Sequence, residues 1–464
     1  RIYIAVILIF LRTVKRKCYQ VKIKKYKKIL GDCPGLLAAA DKTAMKSEGK
    51  LAQATAYVTA PVLFCYVGYV IESAVKLGIQ RIYFLARDGY ILKSIADVII
   101  KKRELDIDTH YLYVSRYALR NALYYKCNSV QAFGNAGFFG HCAVQSAENT
   151  LKRAGLEECQ RVEVYRKIGF TDDEKKVLND AEYNDFCALL KNDKELFSDI
   201  KNRSENNYKN IIEYFNRNGL FEDGKIALVD SGWLGSVQKT LTELIKDKTD
   251  TDRITGYYFG LYREKNDKYN SFLFDISDAH KYVPTFCNNL FECFCSAPHG
   301  MTTGYSITDN GIQPIMAEAN SFIVEAASIQ TDVAVKFAGY ACENPVDISV
   351  KELKKLSARL LKALMYKPDR EEAEIFGAFP FCDDATEITV QPLACDSGKS
   401  IRNVLFLKRI LRKRKGQSIY PDKGMFWLYG SVIFSACKPA WVYRISVRLW
   451  EKLRLLREKR KLCR

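Results

Sequence analysis

The sequence predicts an α/β fold built on a Rossmann-like, doubly wound and mostly parallel sheet. Three apolar segments, 82–86, 110–114 and 226–229, each end in a polar turn that leads into a helical pattern. Residues 254–262 form a further strand pattern. Alternation of strand and helix is typical of parallel sheets, because each crossover returns the chain to the edge where the previous strand began. The carboxyl ends of such strands open onto the crevice where ligands bind.

Helical patterns surround these strands. Residues 56–77 are apolar on nearly every side, which predicts a helix buried in the α/β body and ended by Gly78. A second helix is predicted from 90 to about 102. Between about 130 and 220, charged helical stretches replace the strand patterns. We interpret that region as a helical insertion able to cover the crevice as a cap.

The chain then divides into four regions. A basic N-terminal arm (1–50) precedes the α/β domain (51–305). A mixed helical region (306–400) follows, and a basic amphipathic region (401–464) closes the chain. Helices are predicted at 347–365 and 401–414 within these last two regions. With 48% hydrophobic and 27% charged residues, the composition is that of a globular chain and excludes extended disorder.

The formal net charge of +18 is concentrated at the two ends of the chain. Residues 1–28 hold ten Lys and Arg and no acid, and residues 402–464 hold eighteen against three acids, so the rest is mildly acidic. Nucleic-acid binding needs basic residues spread over a folded face, so we expect no nucleic-acid partner. Basic ends that also carry apolar residues favour an anionic membrane surface, with solvated tails as the alternative.

Apolar residues accompany both basic ends. Residues 2–11 are apolar but too few to span a bilayer, so an interfacial anchor, a buried strand and the stump of a longer segment stay open. At the other end, apolar residues at spacings of one, three and four predict an amphipathic basic helix. They are Trp441, Val442, Ile445, Leu449, Leu453 and Leu456. The fifteen cysteines have no regular spacing, which predicts free thiols in a reducing cytoplasm.

The first candidate site is the Arg87-Asp88-Gly89 turn that ends the first strand. A guanidinium there can hold phosphate bidentately, and a carboxylate can hold a metal or a sugar hydroxyl. Gly89 lets the backbone approach a ligand. The alternative is an Arg–Asp pair that caps the next helix. Ser115 and Arg116 hold the equivalent place after the second strand, and we expect phosphate contact there too.

The segment "VDSGWLGSVQ", from Val229 to Gln238, is the second candidate site. A strand ending in Asp230, a turn of small and hydroxyl residues and a helix together predict an anion cradle. Its expected substrate- and phosphate-binding residues are Ser231, Gly232, Trp233, Gly235 and Ser236. Asp230 is expected to bind Mg²⁺ together with Asp88, or to act as nucleophile. The alternative is a structural turn capped by Asp230.

The third candidate site lies in "NNLFECFCSAPHGMTTGY", residues 288–305. On a continuous helix Glu292, Ser296 and His299 share one face, which suits Glu292 and His299 to general acid–base catalysis. Burial in the core is the alternative. A zinc site of Cys287, Cys293, Cys295 and His299 is a weaker one, because Cys-x-Cys is not the usual structural spacing.

Several of these motifs, taken in order, resemble a bacterial protein family. "YFLARDGY", "YLYVSRYALR", "VDSGWLGSVQ", "YYFGLY" and "LFECFCSAPHG" are similar to proteins encoded with capsule and O-antigen polysaccharide genes, over residues 56–305. Members are described as haloacid dehalogenase-like hydrolases and can be joined to glycosyltransferase domains. The pattern of that superfamily is Asp-x-Asp, and here Gly232 stands where the second Asp belongs. The resemblance therefore implies a complete catalytic domain upstream of Arg1.

"ALVDSGWLGS" also looks like the diphosphoryl-ribose loop of phosphoribosyltransferases, although Ser231 replaces the second acid of that loop. The expected function is a hydrolase, or a glycosyl or phosphoryl transferase, acting on a phosphorylated sugar or nucleotide-sugar, with Mg²⁺. The resemblance implies glycosyltransferase partners. The expected location is the cytoplasm, peripheral at the inner face of the bacterial membrane. The alternatives are a phosphoribosyltransferase-like protein and a non-catalytic binding or scaffold module.

Overall fold

A five-stranded, all-parallel sheet lies at the centre of the protein in the computed structural model, which describes residues 16–140, 145–263, 266–344, 348–382, 390–414, 425–435 and 439–462. The order of its strands is β2-β1-β3-β4-β5. They are β1 Arg81–Leu85, β2 Asp108–Leu112, β3 Ile226–Trp233, β4 Ile254–Leu261 and β5 Tyr269–Phe274. The predicted α/β, doubly wound fold is confirmed.

The strand order reverses direction next to β1. The chain moves from β1 outward to β2, then returns to place β3 on the other side of β1. Phe84 pairs with Tyr111 on one side and with Val229 on the other, so the carboxyl ends of β1 and β3 lie side by side. This reversal is the point at which doubly wound sheets hold their ligands. The peptide bonds Ala86–Arg87 and Gly232–Trp233 at these ends are cis.

Helices cover both faces of the sheet. In chain order the α-helices are α1 Arg16–Leu30, α2 Pro34–Met45, α3 Lys50–Ala54, α4 Ala60–Leu77, α5 Gly89–Arg103, α6 Arg116–Leu123, α7 Val130–Asn135, α8 Ala147–Lys152, α9 Glu158–Ile168, α10 Asp180–Asn192, α11 Lys194–Arg217, α12 Ser236–Ile245, α13 Ala279–Tyr282, α14 Asn288–Phe294, α15 Ser321–Glu343, α16 Val350–Met365, α17 Arg370–Gly377, α18 Phe406–Arg414, α19 Leu428–Phe434 and α20 Ala440–Leu462.

The predicted long apolar helix is present and buried. A π-helical turn, Thr55–Thr59, joins α3 to α4, and Gly78 ends α4 in the left-handed conformation as predicted. Within the described residues, Lys50–Leu77 is the one stretch long and apolar enough to cross a membrane, and 72% of its apolar window is buried in the protein. Its side chains pack with those of α5, α15 and α16 in one hydrophobic cluster.

The helical insertion packs on the opposite face of the sheet. Phe197, Ile211 and Phe215 of the insertion share a hydrophobic cluster with Tyr83 and Leu228 of the sheet. The expectation that the insertion caps the crevice is therefore wrong. Its apolar side chains form the second covering layer that a parallel sheet requires, because both faces of such a sheet must be buried.

Several elements differ from the sequence-based expectation. The strand β5 and a hairpin of β6 Thr302–Thr308 with β7 Gly311–Met316 have no predicted counterpart. The helix predicted at 401–414 begins as a 3₁₀ segment, Gly398–Val404, before α18. The start of the helix predicted at 347–365 and the apolar segment 2–11 lie outside the described residues. The free thiols include Cys33, Cys65, Cys127, Cys187 and Cys293, which agrees with the prediction.

Candidate functional site: a carboxylate cluster at the edge of β1 and β3

Asp88 and Asp230 meet at the reversal point of the sheet, joined by Ser231. The Ser231 hydroxyl donates a hydrogen bond to Oδ2 of Asp88, and the Ser231 backbone N–H donates to Oδ1 of Asp230 at 2.8 Å. Asp88 immediately precedes α5, yet its side chain caps none of the helix's N–H groups. The capping alternative for Asp88 is therefore wrong, because the carboxylate is directed across to β3. Asp230 does not cap α12 either, since Gly235 holds that position.

Glu292 brings a third carboxylate to this edge from α14. The indole N–H of Trp233 donates to Oε1 of Glu292 at 2.7 Å. The Trp233 ring packs edge-on against Phe286 and Phe291, with ring centres 5.4 and 5.8 Å away. This packing holds the indole N–H toward Glu292. The phosphate contact expected of Trp233 would use this indole N–H, which instead donates to the carboxylate of Glu292.

Burial raises the pKa of all three carboxyl groups, and repulsion from neighbouring carboxylates raises that of Asp230 and Glu292 further. Burial is the largest cause at each, and the charge of Asp88 adds to it at both Asp230 and Glu292. The pKa of Asp230 lies well above its usual range, and that of Glu292 rises to about 7. The hydrogen bonds from Ser231 to Asp88 and from Trp233 to Glu292 act in the opposite sense, because they favour the charged forms.

Two arginines balance this negative charge. Arg87 lies at the end of β1, and Arg116 is the exposed first residue of α6, after β2. The positive charges of both lower the pKa values of Asp88 and Glu292, and that of Arg116 also lowers the pKa of Asp230. The residues that sequence reasoning placed after three separate strands are therefore brought into one electrostatic cluster.

His299 lies beside this cluster rather than within it. Its Nδ1 is 2.8 Å from the carbonyl oxygen of Gly300, and its Nε2 is 2.7 Å from the hydroxyl of Tyr111. A carbonyl only accepts, so Nδ1 carries the proton and the neutral ring accepts at Nε2 from Tyr111. Burial and the charge of Arg87 lower the His299 pKa, which favours this neutral form.

The helical spacing assumed for Glu292 and His299 is wrong. The helix α14 ends at Phe294, so Ser296 and His299 follow it in the irregular segment before β6. Ser296 turns back, and its hydroxyl donates to the carbonyl of Cys293. Glu292 and His299 reach the same edge because the chain bends there and not because they share a helix face.

The expected phosphate-binding residues divide into serines that are hydrogen-bonded within the protein and residues at the start of α12. Ser231 has both of its donors on carboxylates, and Ser115 caps α6, where its hydroxyl accepts from the N–H of Ala118 at 2.9 Å and donates to the carbonyl of Thr302 at 2.6 Å. Phosphate contact at Gly235 and Ser236, which begin α12, stays a prediction.

The two remaining glycines are required by close packing. A Cβ at Gly89 would lie 2.6 Å from the backbone carbon of Phe84, so the glycine lets α5 approach β1. A Cβ at Gly232, where φ is +143°, would lie 2.2 Å from the carbonyl oxygen of Gly260. Gly89 was expected to give the helix a close start and to let the backbone approach a ligand. The close contact between helix and strand is confirmed, and the approach to a ligand stays a prediction.

Two tyrosines complete the site without having been predicted. Tyr111 links His299 to the cluster, and the charges of Asp88 and Arg87 act on its hydroxyl. The buried hydroxyl of Tyr66 lies 2.7 Å from the backbone carbonyl of Asp230 and 2.8 Å from that of Tyr257. Tyr111 stands near the end of a predicted strand, and this position could have marked it as a site residue. Tyr66 lies in a helix that is apolar throughout, where nothing marks it.

The placement of the His, Cys, Asp and Glu side chains also bears on the predicted metal sites. In the described parts of the chain, no group of three or more His, Cys, Asp or Glu is placed to hold a metal ion. The zinc alternative at Cys287, Cys293, Cys295 and His299 is therefore wrong. Burial holds the pKa of each of these three thiols above its usual value, which disfavours the thiolate that zinc needs.

Compared with the models of known protein families and with curated proteins, the chain shows no match. The resemblance to polysaccharide-associated hydrolases therefore stays a prediction. The geometry and charge of the cluster at the edge of β1 and β3 are therefore what points to a function.

Proposed function

We propose that this chain is an enzyme that binds a phosphorylated sugar or nucleotide-sugar at the edge of β1 and β3 and hydrolyses it or transfers its glycosyl or phosphoryl group. The observation that carries the proposal is the convergence of Asp88, Asp230 and Glu292 with Arg116 at the reversal point of the sheet. Perturbed carboxyl groups gathered at such a point are typical of a catalytic site.

The arginines give the site its preference for anions. Arg116 is exposed at the amino end of α6, where the positive end of the helix dipole adds to its charge. Arg87 precedes Asp88 and lies close enough to Glu292 and His299 to shift the pKa values of both. A phosphate or diphosphate bound by these guanidinium groups brings the attached sugar to the carboxyl groups.

Glu292 is the group best suited to move a proton. With a pKa of about 7 it exists in both forms near neutral pH, which is where general acid–base catalysis is most effective. The uncharged acid gives its proton to the leaving oxygen, or the carboxylate takes one from the attacking water or hydroxyl. His299 is neutral and held through both ring nitrogens, so it serves better as a positioning group for Tyr111.

Asp88 and Asp230 suit ligand binding better than nucleophilic attack. Burial raises the pKa of both groups and so favours the protonated carboxyl, which is a poor nucleophile. Mg²⁺ is usually held by one or two carboxylates together with substrate phosphates and water, and this pair fits that mode. When bound, the ion would neutralise phosphate charge and lower the pKa of both carboxyls.

We place this activity in the cytoplasm, peripheral at the inner face of a bacterial membrane and beside glycosyltransferase partners. The basic ends of the chain support this location, because the cytoplasmic leaflet is anionic. After expression in a bacterium, the protein is expected in the membrane pellet and is released by a high-salt wash. Recovery in the soluble fraction at low salt would contradict the location.

The test of the enzymatic proposal is a binding and turnover comparison on the full chain. Glucose 1-phosphate and UDP-glucose, each with and without MgCl₂, are titrated calorimetrically, and release of phosphate, glucose or UDP is followed. Arg116→Ala is expected to weaken binding about tenfold or more because it removes a charged contact to phosphate. Asp230→Asn is expected to weaken binding about tenfold in the presence of MgCl₂, because it removes a ligand of the ion. Asp199→Asn and Arg203→Ala on the exposed side of α11 are the matched controls and should match the unmodified chain.

The outcomes separate the two classes of function. Turnover that Glu292→Gln abolishes, with binding retained, supports the enzymatic role. Binding without any turnover assigns the chain to the non-catalytic binding class. If a folded sample shows no binding and no turnover with any of these probes, the proposal is refuted.

A further inference from the structure

The C-terminal helix α20 carries apolar residues on two opposite faces. On the inner face, Val447, Trp450 and Leu455 are buried against the protein. Trp450 packs against Phe406 of α18, and the guanidinium of Arg409 lies 5.2 Å from the centre of its ring. This packing fixes the helix to the body and determines which of its faces is directed outward.

The outer face exposes a second row of large apolar side chains. Trp441, Ile445, Leu449 and Leu456 are 59%, 44%, 45% and 55% exposed. Spacings of four, four and seven residues place all four on one side of an α-helix. We call these four residues the outer stripe. An apolar stripe on a helix whose other face already contacts the core has no function in folding, and such exposed patches mark interaction sites.

A row of basic residues runs beside the outer stripe. Arg444, Arg448 and Lys452 each follow a stripe residue by three positions, which makes them its neighbours on the helix surface. Over its whole length α20 has eight Lys and Arg against two Glu. One of those acids, Glu451, is already paired with Arg454 at 2.9 Å. The surface around the outer stripe is therefore strongly cationic.

We infer that the outer stripe of α20 docks the protein onto an anionic lipid surface, with α20 lying in the plane of the membrane. Tryptophan and aliphatic side chains enter the headgroup region while the adjacent basic row contacts lipid phosphates. A second copy of the chain is a poor occupant of the same face, because two such rows would oppose each other with like charge. This inference rests on the membrane location proposed above and assigns it to one surface. It does not depend on the enzymatic activity, since the stripe lies outside the carboxylate cluster.

The experiment measures sedimentation of the full chain with vesicles of phosphatidylcholine alone or with about 30% phosphatidylglycerol, which imitates an anionic leaflet. The chain is expected to bind the anionic vesicles and to be released as salt rises from about 0.05 to 0.5 M, because screening weakens surface attraction. W441S/I445S/L449S is expected to lose binding about tenfold or more. The buried face of α20 is untouched in this variant, and circular dichroism checks that it folds.

The matched control changes equally exposed apolar residues elsewhere. V162S/V177S/L189S alters the helical insertion and should bind vesicles as the unmodified chain does. Equal binding by W441S/I445S/L449S would overturn the inference and assign binding to the basic N-terminal arm. Equal binding to neutral vesicles, or no binding, would also overturn it. Light scattering that shows a dimer dispersed by W441S/I445S/L449S would assign the stripe to self-association instead.

Discussion

Two serines near the carboxyl ends of strands have different roles. The hydroxyl of Ser115, after β2, accepts from the N–H of Ala118 and so caps α6, while it donates to the carbonyl of Thr302. Ser231 lies in β3, and its hydroxyl reaches across to Asp88 at the end of β1. The sequence contexts are alike, a strand followed by a hydroxyl and then a helix. The difference comes from position in the sheet, because only β1 and β3 flank the point where strand order reverses.

The same contrast extends to charge. At the end of β2, Arg116 is exposed to solvent, and its amide N–H belongs to a capped helix. At the ends of β1 and β3, burial raises the pKa of Asp88 and of Asp230, and the charge of Asp88 raises the pKa of Asp230 further. One strand end therefore supplies a solvated cation and the other two hold a coupled acid pair. This division of roles can be tested by substitution.

The largest expected effect is steric and tests the close packing at the end of β1. Gly89→Ala places a Cβ 2.6 Å from the backbone carbon of Phe84, which cannot move without distorting β1. We expect a loss of about 3 kcal/mol in the free energy of unfolding, the range of severe overpacking. Urea denaturation measures it. Gly68→Ala, in the middle of α4 with no atom within 4 Å, should be neutral or stabilising.

The next effect concerns pH and the carboxylate cluster. Glu292 titrates near 7 in the folded state and near 4.5 when unfolded, so between these pH values the folded state binds more protons. The free energy of unfolding should therefore fall as pH rises from about 4.5 to 7.5. For Glu292 the change is of order 1–2 kcal/mol, allowing for its partial exposure. Denaturation at several pH values measures it. Glu292→Gln should flatten this slope, and an unchanged slope would contradict the assignment.

The smallest effects distinguish the two serines directly. Ser115→Ala removes a helix cap and should cost about 1 kcal/mol at every pH. Ser231→Ala removes the donor that stabilises charged Asp88, so its cost of about 1 kcal/mol should appear above the pKa of Asp88 and diminish in acid. Denaturation curves of both variants over a series of pH values, from acid to pH 8, compare them. Identical pH dependence in the two variants would show that Ser231 does not act through Asp88.

Much of the fold could be predicted because its strands obey local rules. The predicted strands overlap β1, β2, β3 and β4, and Gly78 ends α4 as its position indicated. Their ends were predicted less well, since β2 lies two residues earlier than expected and β3 continues to Trp233 through the residues expected to form a turn. The hairpin of β6 and β7 could not be predicted. Its strand β6 is half polar, and its stability comes from contacts with α11 and α6, which are distant in sequence.

The sequence predicted which residues form the candidate site, but it did not predict how they are arranged. Arg87, Asp88 and Asp230 stand out because charged residues rarely follow apolar strands without a reason. That Trp233 would orient Glu292, and that Tyr111 would hold His299, depends on contacts 59 and 188 residues apart along the chain. Such pairs have no signature in a single sequence, since any aromatic residue at either position fits the local pattern equally well.

The sequence alone determined the alternation of strands and helices and the acidic and basic residues at the strand ends. It also determined the concentration of positive charge at the two termini. These properties are local, and each follows from residue type and spacing over a few turns of chain. Only the tertiary structure decided that β1 and β3 are neighbours, that Ser231 joins Asp88 to Asp230, and that α20 turns Trp450 inward and Trp441 outward. Those decisions depend on burial and on contacts between distant segments, which no short stretch of sequence contains.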